Sequence, residues 1–183
     1  MELLHGTPKD MGGREEREKR CYALLDRLGV DFERTDHPEE PATTMEACAR
    51  VDAVLGVHIC KNLFLCNRQK TDHYLLIMPG EKPFKTKELS AQLGTSRLSF
   101  AGEESMERLL DVHPGSVSVL ALMNDTAHEV RLVIDEDVLR EEEFGCHPCM
   151  NTSSIRFATK DLTEVILPAL QVEPVVVHLD GAE

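Results

Sequence analysis

The chain has 183 residues, is 42% hydrophobic and carries a formal net charge of −13. This length fits one globular domain over residues 1–183, the hydrophobic fraction argues against disorder, and the acidic excess argues against general nucleic-acid binding. Because no apolar run approaches the roughly 20 residues that span a bilayer, and residues 1–20 lack the apolar core of a signal peptide, we expect a cytoplasmic protein without a membrane partner.

Hydrophobic periodicity and turn residues predict the secondary structure along the chain. Thr43 followed by Glu46 is a capping box at the start of one predicted helix. Helices are predicted over 14–28, 45–55, 86–93, 103–110 and 160–170. Strands are predicted over 30–35, 57–67, 73–78, 98–100, 154–157 and 175–179, with a hairpin of paired strands over 117–123 and 130–134. This alternation indicates a single α/β domain with a mixed, largely antiparallel sheet flanked by helices.

Two short motifs place polar side chains where chemistry would need them. Lys61 and Asn62 interrupt an apolar, strand-like run, and buried polar groups are costly unless they meet partners or line a cleft. The loop over 145–154 contains His147, Asn151 and Thr152, and Pro148 stiffens it. We therefore predict that the two motifs form two walls of one polar site.

A third motif is the turn over 114–118, which leads into an apolar run. It is either an ordinary tight turn or a backbone N–H cradle for a carbonyl or phosphate oxygen. Gly115 and Ser116 would provide that cradle. The chain contains neither the Gly-x-Ser-x-Gly motif of serine hydrolases nor a phosphate-binding loop of the Walker type.

The cysteines allow two other kinds of site, a structural zinc site and a redox dithiol. Six are present, at positions 21, 48, 60, 66, 146 and 149, and reduced thiols are expected in a chain with a sizeable core. A structural zinc site takes four ligands, usually from two close pairs, and only Cys146 and Cys149 form such a pair. A redox dithiol is expected at a strand-to-helix junction, whereas loop and strand follow here. We predict no metal and no cofactor, and keep a metal or thiol enzyme as an alternative.

Charge is unevenly distributed along the chain. Residues 61–97 include seven basic and three acidic residues, so this basic window has a net charge of +4 against −17 for the remainder. The window is either a solvated face or a landing patch for a phosphate backbone. On the second interpretation, Lys82, Lys85 and Lys87 are the candidate RNA-binding residues.

Taken in order, these motifs resemble the YbaK-type domain associated with prolyl-tRNA synthetases. Within it they are most similar to the freestanding (ProX-type) editing proteins that deacylate alanyl-tRNA(Pro). The resemblance covers residues 22–179 approximately. It rests on Lys61-Asn62-Leu63-Phe64, on Pro114-Gly115-Ser116-Val117-Ser118 with Leu122, Asn124 and Asp125 downstream, and on His147-Pro148 with Asn151-Thr152.

The resemblance implies a mixed α/β fold and hydrolysis of the ester that joins a wrong amino acid to tRNA, without a cofactor. It implies that Lys61 is essential, that Asn62 and His147 are substrate-site residues, and that Gly115 opens a loop shaping the amino-acid pocket. Val119 stands where the family commonly has proline, so we expect it to influence the pocket. The implied partner is the acceptor end of tRNA(Pro), with prolyl-tRNA synthetase as a second candidate partner.

The chemistry of such a site is compatible with these residue types. An aminoacyl ester is already activated, so the enzyme must place a water molecule and stabilise the oxyanion. We expect the amides of Gly115 and Ser116 to do the second task, Lys61 to hold the terminal phosphate or the reacting carbonyl, and His147 to position the substrate or the water. The remaining alternative is a domain that binds aminoacyl-tRNA or an amino acid without hydrolysing it.

Overall fold

The computed structural model describes residues 1–181, and β-strands distributed over two sheets organise them. In chain order the strands are β1 (Leu4–His5), β2 (Glu33–Asp36), β3 (Lys61–Cys66), β4 (His73–Met78), β5 (Ser99–Phe100), β6 (Val130–Asp135), β7 (Glu143–Cys146), β8 (Ser153–Ala158) and β9 (Val175–Val177). The first sheet is antiparallel, in the order β1-β2-β8-β7. The second has the order β5-β3-β4-β6-β9, with antiparallel pairs up to β4 and parallel pairs beyond it.

Helices cover both sheets. They are α1 (Glu16–Arg27), α2 (Met45–Leu55), α3 (Thr86–Leu93), α4 (Glu103–Leu110) and α5 (Glu136–Arg140), followed by a helical segment over 159–169 with a π-helical middle at Leu162–Ile166. The predicted α/β class with a mixed, largely antiparallel arrangement is confirmed, and so are the bounds of α3 and α4. No helix within residues 1–181 combines the length and apolarity needed to cross a bilayer.

The central strand β4 explains where the core lies. All six of its residues are buried, and the five from Tyr74 to Met78 alternate between two apolar clusters. Leu75 and Ile77 join the larger cluster, whereas Tyr74, Leu76 and Met78 join the smaller one. Because successive side chains of a strand point to opposite faces, β4 packs against apolar layers on both sides of its sheet.

The two sheets meet at a close backbone approach. Ile59 and Gly145 form an isolated parallel bridge immediately before β3 and within β7. A Cβ at Gly145 would lie 2.9 Å from Val57 Cγ1, so only glycine fits there without a shift of its neighbour. This junction places the start of β3, with Lys61 and Asn62, beside the loop that carries His147.

Two local predictions were wrong, and three elements were missed. Residues 117–123 do not pair with 130–134: Val119–Asn124 is a 3₁₀ helix, and β6 pairs in parallel with β4 and β9. From Val119 to Leu122 the run is apolar and buried, so it has no period by which a strand differs from a buried helix. Thr44, not Thr43, caps α2, because its side chain accepts a hydrogen bond from the Ala47 N–H at 3.1 Å. The elements β1, β7 and α5 were not predicted.

Candidate functional site

Two cavities meet at Cys60 and His147. The small cleft has a volume of about 250 Å³ and is lined by Cys60, Asn62, Leu63, Phe64, Phe100, Met106, Pro114, Gly115, Val117 and His147. The large groove has a volume of about 720 Å³ and runs along the start of α2, with residues 42–45 on one side and Lys61, Gly80 and His147 on the other. One compartment is therefore small and mostly apolar, and the adjoining one is wider and contains a lysine.

Lys61 lies at the first position of β3, opposite Met78 of β4. Its Nζ donates a hydrogen bond to the carbonyl oxygen of Lys82 at 2.5 Å, and its side chain lines the large groove. No carboxylate in the described part of the chain forms an ion pair with it. The ammonium charge of Lys61 is thus oriented by the backbone but is not neutralised by a protein anion.

Asn62 points to the other compartment. Its Nδ2 donates to the Cys60 carbonyl oxygen at 2.9 Å, and the residue lines the small cleft. Its Oδ1 is enclosed and has no hydrogen-bond partner among residues 1–181. An enclosed acceptor without a donor is costly, so this oxygen is suited to accept a hydrogen bond from a bound molecule.

The turn at Gly115 forms one wall of the small cleft. Gly115 has φ +84°, a left-handed conformation that favours glycine, and an added Cβ would approach Asn151 Nδ2 to 3.4 Å. The Ser116 N–H donates to the His113 carbonyl at 3.0 Å, whereas the Gly115 N–H has no backbone acceptor among the described residues. Only the Gly115 amide therefore remains available for an oxyanion, which corrects the expectation that the Ser116 amide would also serve.

Ser116 has a different role in the structure. It is buried, and its Oγ accepts a hydrogen bond from the Asn151 N–H at 3.1 Å. The Asn151 carbonyl accepts from the Ala42 N–H at 2.9 Å, and the Thr152 carbonyl accepts from the His37 N–H at 2.8 Å. Ser116, Asn151 and Thr152 line neither the small cleft nor the large groove, and they join the loops that carry Gly115 and His147.

Val119 was expected at the amino-acid pocket, but it lies elsewhere. It is fully buried in the larger apolar cluster and lines neither cavity. The valine that lines the small cleft is Val117, two residues earlier. The expectation that Val119 contacts the substrate is therefore not supported, and the wall of the cleft belongs to its neighbour.

His147 faces both cavities, and its Nδ1 lies 3.0 Å from the carbonyl oxygen of Ser153. Burial lowers the pKa of His147 to about 4, and the hydrogen bond to Ser153 offsets only part of this effect. The imidazole is therefore neutral at pH 7. Since a carbonyl oxygen only accepts, the proton lies on Nδ1, and Nε2 is left as an acceptor.

The three predicted RNA-binding lysines have different surroundings. Lys82 Nζ donates to Asp135 Oδ2 and Asp137 Oδ2, each at 2.7 Å, and to the Leu179 carbonyl oxygen at 2.6 Å. Burial alone would lower the pKa of Lys82, but these two carboxylates raise it. The ammonium is thus engaged inside the protein, which removes it from phosphate binding. Lys85 is half-buried and Lys87 is exposed, and neither forms an ion pair with a described residue.

A third cavity, of about 890 Å³, borders the large groove and shares part of its wall, including Gly80 and Glu81. It is lined by the acidic residues Glu81, Asp137, Glu141, Glu142 and Glu143, with Lys82 and Arg140 among them. Five carboxylates at one surface repel a phosphate backbone. A polyanion at the site is therefore directed away from this face.

Phe100 and Met106, in the apolar lining of the small cleft, lie outside the sequence motifs. Phe100 lies on the edge strand β5, is 64% exposed and makes an edge contact with Phe84 at 6.0 Å between ring centroids. Met106 comes from α4, whereas Phe64, on β3, belongs to the Lys61-Asn62-Leu63-Phe64 motif. Phe100 and Met106 come from separate elements and share no motif, so only their positions in the folded chain identify them.

The cysteine pair is placed unfavourably for thiol chemistry. Cys146 and Cys149 are fully buried, and burial raises the pKa of the Cys146 thiol. Cys149 Sγ lies 3.4 Å from Cys21 Sγ, not from Cys146. Residues 1–181 contain no group of three or more His, Cys, Asp or Glu side chains arranged to hold a metal ion. Because a thiolate is the reactive form of cysteine, burial argues against the thiol alternative.

The chain is similar to known proteins in both sequence and fold. Residues 39–165 match the family model of the aminoacyl-tRNA editing domain. The prolyl-tRNA editing protein ProX of Acetoanaerobium sticklandii is 28% identical over 79% of this chain and 87% of its own length. Prolyl-tRNA synthetase associated domain-containing protein 1 of Danio rerio is 30% identical over 88% of this chain and 87% of its own. A crystal structure described as a candidate trans-editing enzyme for prolyl-tRNA synthetase superposes with a TM-score of 0.66 and 19% identity, covering 90% of this chain and 98% of that one.

Proposed function

The chain belongs to the aminoacyl-tRNA editing domain family, and from this premise we propose that it is a trans-editing deacylase for mischarged tRNA(Pro), with alanyl-tRNA(Pro) as its principal substrate. The reaction is hydrolysis of the ester between the amino acid and the terminal ribose. The proposed partner is the acceptor end of tRNA(Pro), in the cytoplasm, with prolyl-tRNA synthetase as a further partner.

The observation that carries this proposal is the joining of two unlike compartments at His147. The small cleft of about 250 Å³ is below the roughly 300–1,000 Å³ of pockets for drug-sized ligands, so it suits a ligand of few atoms. The adjoining large groove is wide enough for a terminal nucleotide. Lys61 supplies a cation in its wall, which Asp52 and Glu81 also line. A small amino acid esterified to a terminal nucleotide has these two parts.

The polar groups at the junction support hydrolysis. Water attacks the ester carbonyl, the oxyanion forms, and the bond to the ribose oxygen breaks, with a proton passing to that oxygen. We assign oxyanion stabilisation to the Gly115 N–H and to the charge of Lys61, and orientation of the substrate or the water to Asn62 and to Nε2 of His147. The neighbouring ribose hydroxyl of the substrate is a candidate for assisting the water.

Preference for alanine over proline follows from the size and lining of the small cleft. A synthetase that accepts proline discriminates poorly against smaller alanine, because a missing methylene-sized contact contributes only about 1–3 kcal/mol. A second, smaller pocket removes the error by admitting alanine and excluding proline. In this proposal Val117, Phe64 and Met106 set the limit on size, and Val119 does not.

Binding of the RNA is assigned to the side of the basic window that carries Lys85 and Lys87. These cations form no ion pair with the described residues, whereas the face around Glu81 and Glu141 is acidic. The phosphates of a bound acceptor end would then follow the free lysines and avoid the carboxylates.

A deacylation panel tests the proposed function. tRNA(Pro) is charged separately with alanine, serine, cysteine and proline, and single-turnover hydrolysis is measured for each ester. We expect alanyl ester to be hydrolysed fastest and prolyl ester slowest. Binding of every ester without hydrolysis would establish the non-catalytic alternative, and faster hydrolysis of prolyl ester would contradict the proposed substrate.

A further inference from the structure

His37 is a buried histidine that precedes α2 and to which neither the motifs nor the proposed chemistry gives a role. Both of its ring nitrogens make contacts within the protein. Nδ1 lies 3.1 Å from the carbonyl oxygen of Glu40, and Nε2 lies 2.9 Å from the hydroxyl oxygen of Ser154. The ring centroids of His37 and His147 are 6.5 Å apart, and the Ser154 hydroxyl contacts both rings.

The direction of each hydrogen bond at His37 can be assigned. The Glu40 carbonyl only accepts, so the proton of a neutral His37 ring lies on Nδ1. Burial lowers the pKa of His37, with hydrogen bonding to Glu40 acting in the opposite sense, and the ring is therefore neutral at pH 7. Nε2 then carries a lone pair, and the hydroxyl of Ser154 must donate its hydrogen to it.

The direction of the Ser154 hydrogen bond determines whether the neighbours of His147 Nδ1 donate or accept. The Ser154 Oγ lies 3.1 Å from His147 Nδ1, and its hydrogen is already directed to His37, so it can only accept from His147. The Ser153 carbonyl, 3.0 Å from the same nitrogen, also only accepts. Both neighbours therefore require a proton on His147 Nδ1, and Nε2 makes no hydrogen bond within the described part of the chain.

We propose that His37 is a positioning residue, which turns the Ser154 hydroxyl away from His147 and thereby keeps the proton of His147 on Nδ1 and a free acceptor, Nε2, at the junction of the small cleft and the large groove. Its role in turnover rests on the proposed deacylase function. Without the His37 acceptor, the Ser154 hydroxyl can rotate and donate to His147 Nδ1. That bond favours the tautomer with the proton on Nε2, which would offer the substrate a donor in place of an acceptor.

The proposal predicts a rescue that simple structural damage would not produce. His37→Phe retains a ring in the buried site but removes the acceptor, so part of His147 should change tautomer and kcat/KM should fall about tenfold, as expected for one hydrogen bond of reversed polarity. Adding Ser154→Ala to this variant removes the competing donor and leaves only the Ser153 carbonyl at Nδ1. The double variant should recover the wild-type tautomer and most of the lost activity.

The experiment measures ¹⁵N chemical shifts of the imidazole nitrogens in histidine-labelled protein at pH 7, alongside deacylation of alanyl-tRNA(Pro). Ser153→Ala is the matched control, since its hydroxyl donates to Asp36 at 2.7 Å and not to either histidine, and it should keep the Nδ1–H tautomer. We expect wild type, Ser154→Ala and the double variant to show a protonated Nδ1, and His37→Phe to show a mixture.

A wild-type His147 with its proton on Nε2 would overturn the proposal, whether or not the variants fold. So would a His37→Phe variant with lost activity that Ser154→Ala does not restore. Absence of deacylation by the wild-type protein would contradict the proposed function, while the tautomers would still decide the assignment of His37.

Discussion

The polar side chains of the small cleft and the lysines Lys85 and Lys87 differ in how firmly the protein holds them. At the cleft, His147 and Asn62 are each fixed by a hydrogen bond to a backbone carbonyl, and one atom of each has no partner among residues 1–181. By contrast, Lys85 and Lys87 have no ion-pair partner among the described residues. The cleft is suited to precise placement of a small substrate, whereas the free cations are suited to a flexible, hydrated polyanion. In the proposed function, hydrolysis and attraction of the RNA therefore depend on different side chains.

Removing the charge of Lys61 is expected to have the largest effect. Lys61→Ala should lower single-turnover deacylation by about 100-fold or more, because it removes a positive charge beside the reacting ester. Circular dichroism should remain unchanged, since the side chain lines a groove and does not pack in the core. Lys160→Ala, an exposed lysine on the helical segment 159–169, is the control. Near wild-type turnover of Lys61→Ala would remove Lys61 from the chemistry.

Lys82 lies within the basic window but should behave as part of the folded core. Lys82→Ala leaves the buried carboxylate of Asp135 without its cation and should reduce the free energy of unfolding by about 3 kcal/mol. Lys85→Ala should change it by no more than about 0.5 kcal/mol, because Lys85 has no ion-pair partner in residues 1–181. Urea denaturation measures both. Equal effects of the two substitutions would contradict the distinction between them.

The buried imidazole of His147 should make stability depend on pH. Its pKa is about 4 in the folded protein, so between pH 6.5 and 4 the unfolded chain binds a proton that the folded chain does not. Stability from this group is complete above pH 6.5 and should fall by up to about 3 kcal/mol as the pH approaches 4. The lowered pKa of His37 acts in the same direction.

Denaturation curves across this pH range test that dependence. His147→Asn retains a donor towards the Ser153 carbonyl but does not titrate, so its stability should vary less with pH. His128→Asn is the control, because His128 is exposed and its φ of +53° is well tolerated by asparagine. An unchanged slope in His147→Asn would mean that the imidazole does not remain neutral on folding.

Val117 and Val119 both belong to the larger apolar cluster, but Val117 also lines the small cleft and Val119 does not. Val117→Ala widens the small cleft and should shift the ratio of prolyl to alanyl hydrolysis in favour of proline by about 1 kcal/mol, or about fivefold. Val119→Ala should leave this ratio unchanged and reduce the free energy of unfolding by about 2 kcal/mol, because Val119 is a core residue. Single-turnover rates on both esters decide between them. A shift of the ratio by Val119→Ala alone would restore the sequence-based assignment.

Local sequence pattern is sufficient for some elements of the fold. The helices α3 and α4 were predicted with correct bounds, since their residues have a helical period and Gly94 ends α3. The strand with Lys61 and the loop with His147 were predicted as neighbours, and the close approach at Gly145 brings them together. Buried polar residues in apolar runs are informative because they are costly without a purpose.

The features that the sequence did not predict depend on contacts between residues that are distant in the chain. Lys82 contributes a positive charge to the basic window, but nothing near it in sequence indicates that Asp135 will hold its ammonium. The placement of Val117 at the cleft, instead of Val119, depends on a 3₁₀ helix that a uniformly apolar run does not predict. The Ser116 amide was likewise available in sequence and is occupied by His113 in the fold.

The smallest expected effect concerns the free cations of segment 82–87. Lys85→Ala and Lys87→Ala should weaken binding of alanyl-tRNA(Pro) and reduce the slope of log affinity against log salt by about 0.7 for each phosphate that the variant no longer binds, the value for single strands. The single-turnover rate at saturating protein should stay at the wild-type level, because these side chains line neither cavity. Lys70→Ala, at the β3–β4 turn, provides a control with the same change in net charge. If the slope is equally reduced by Lys70→Ala, attraction is a property of the whole basic window and not of the segment beside the site. If neither slope changes, the window is a solvated face, and the RNA must be held by the large groove and Lys61.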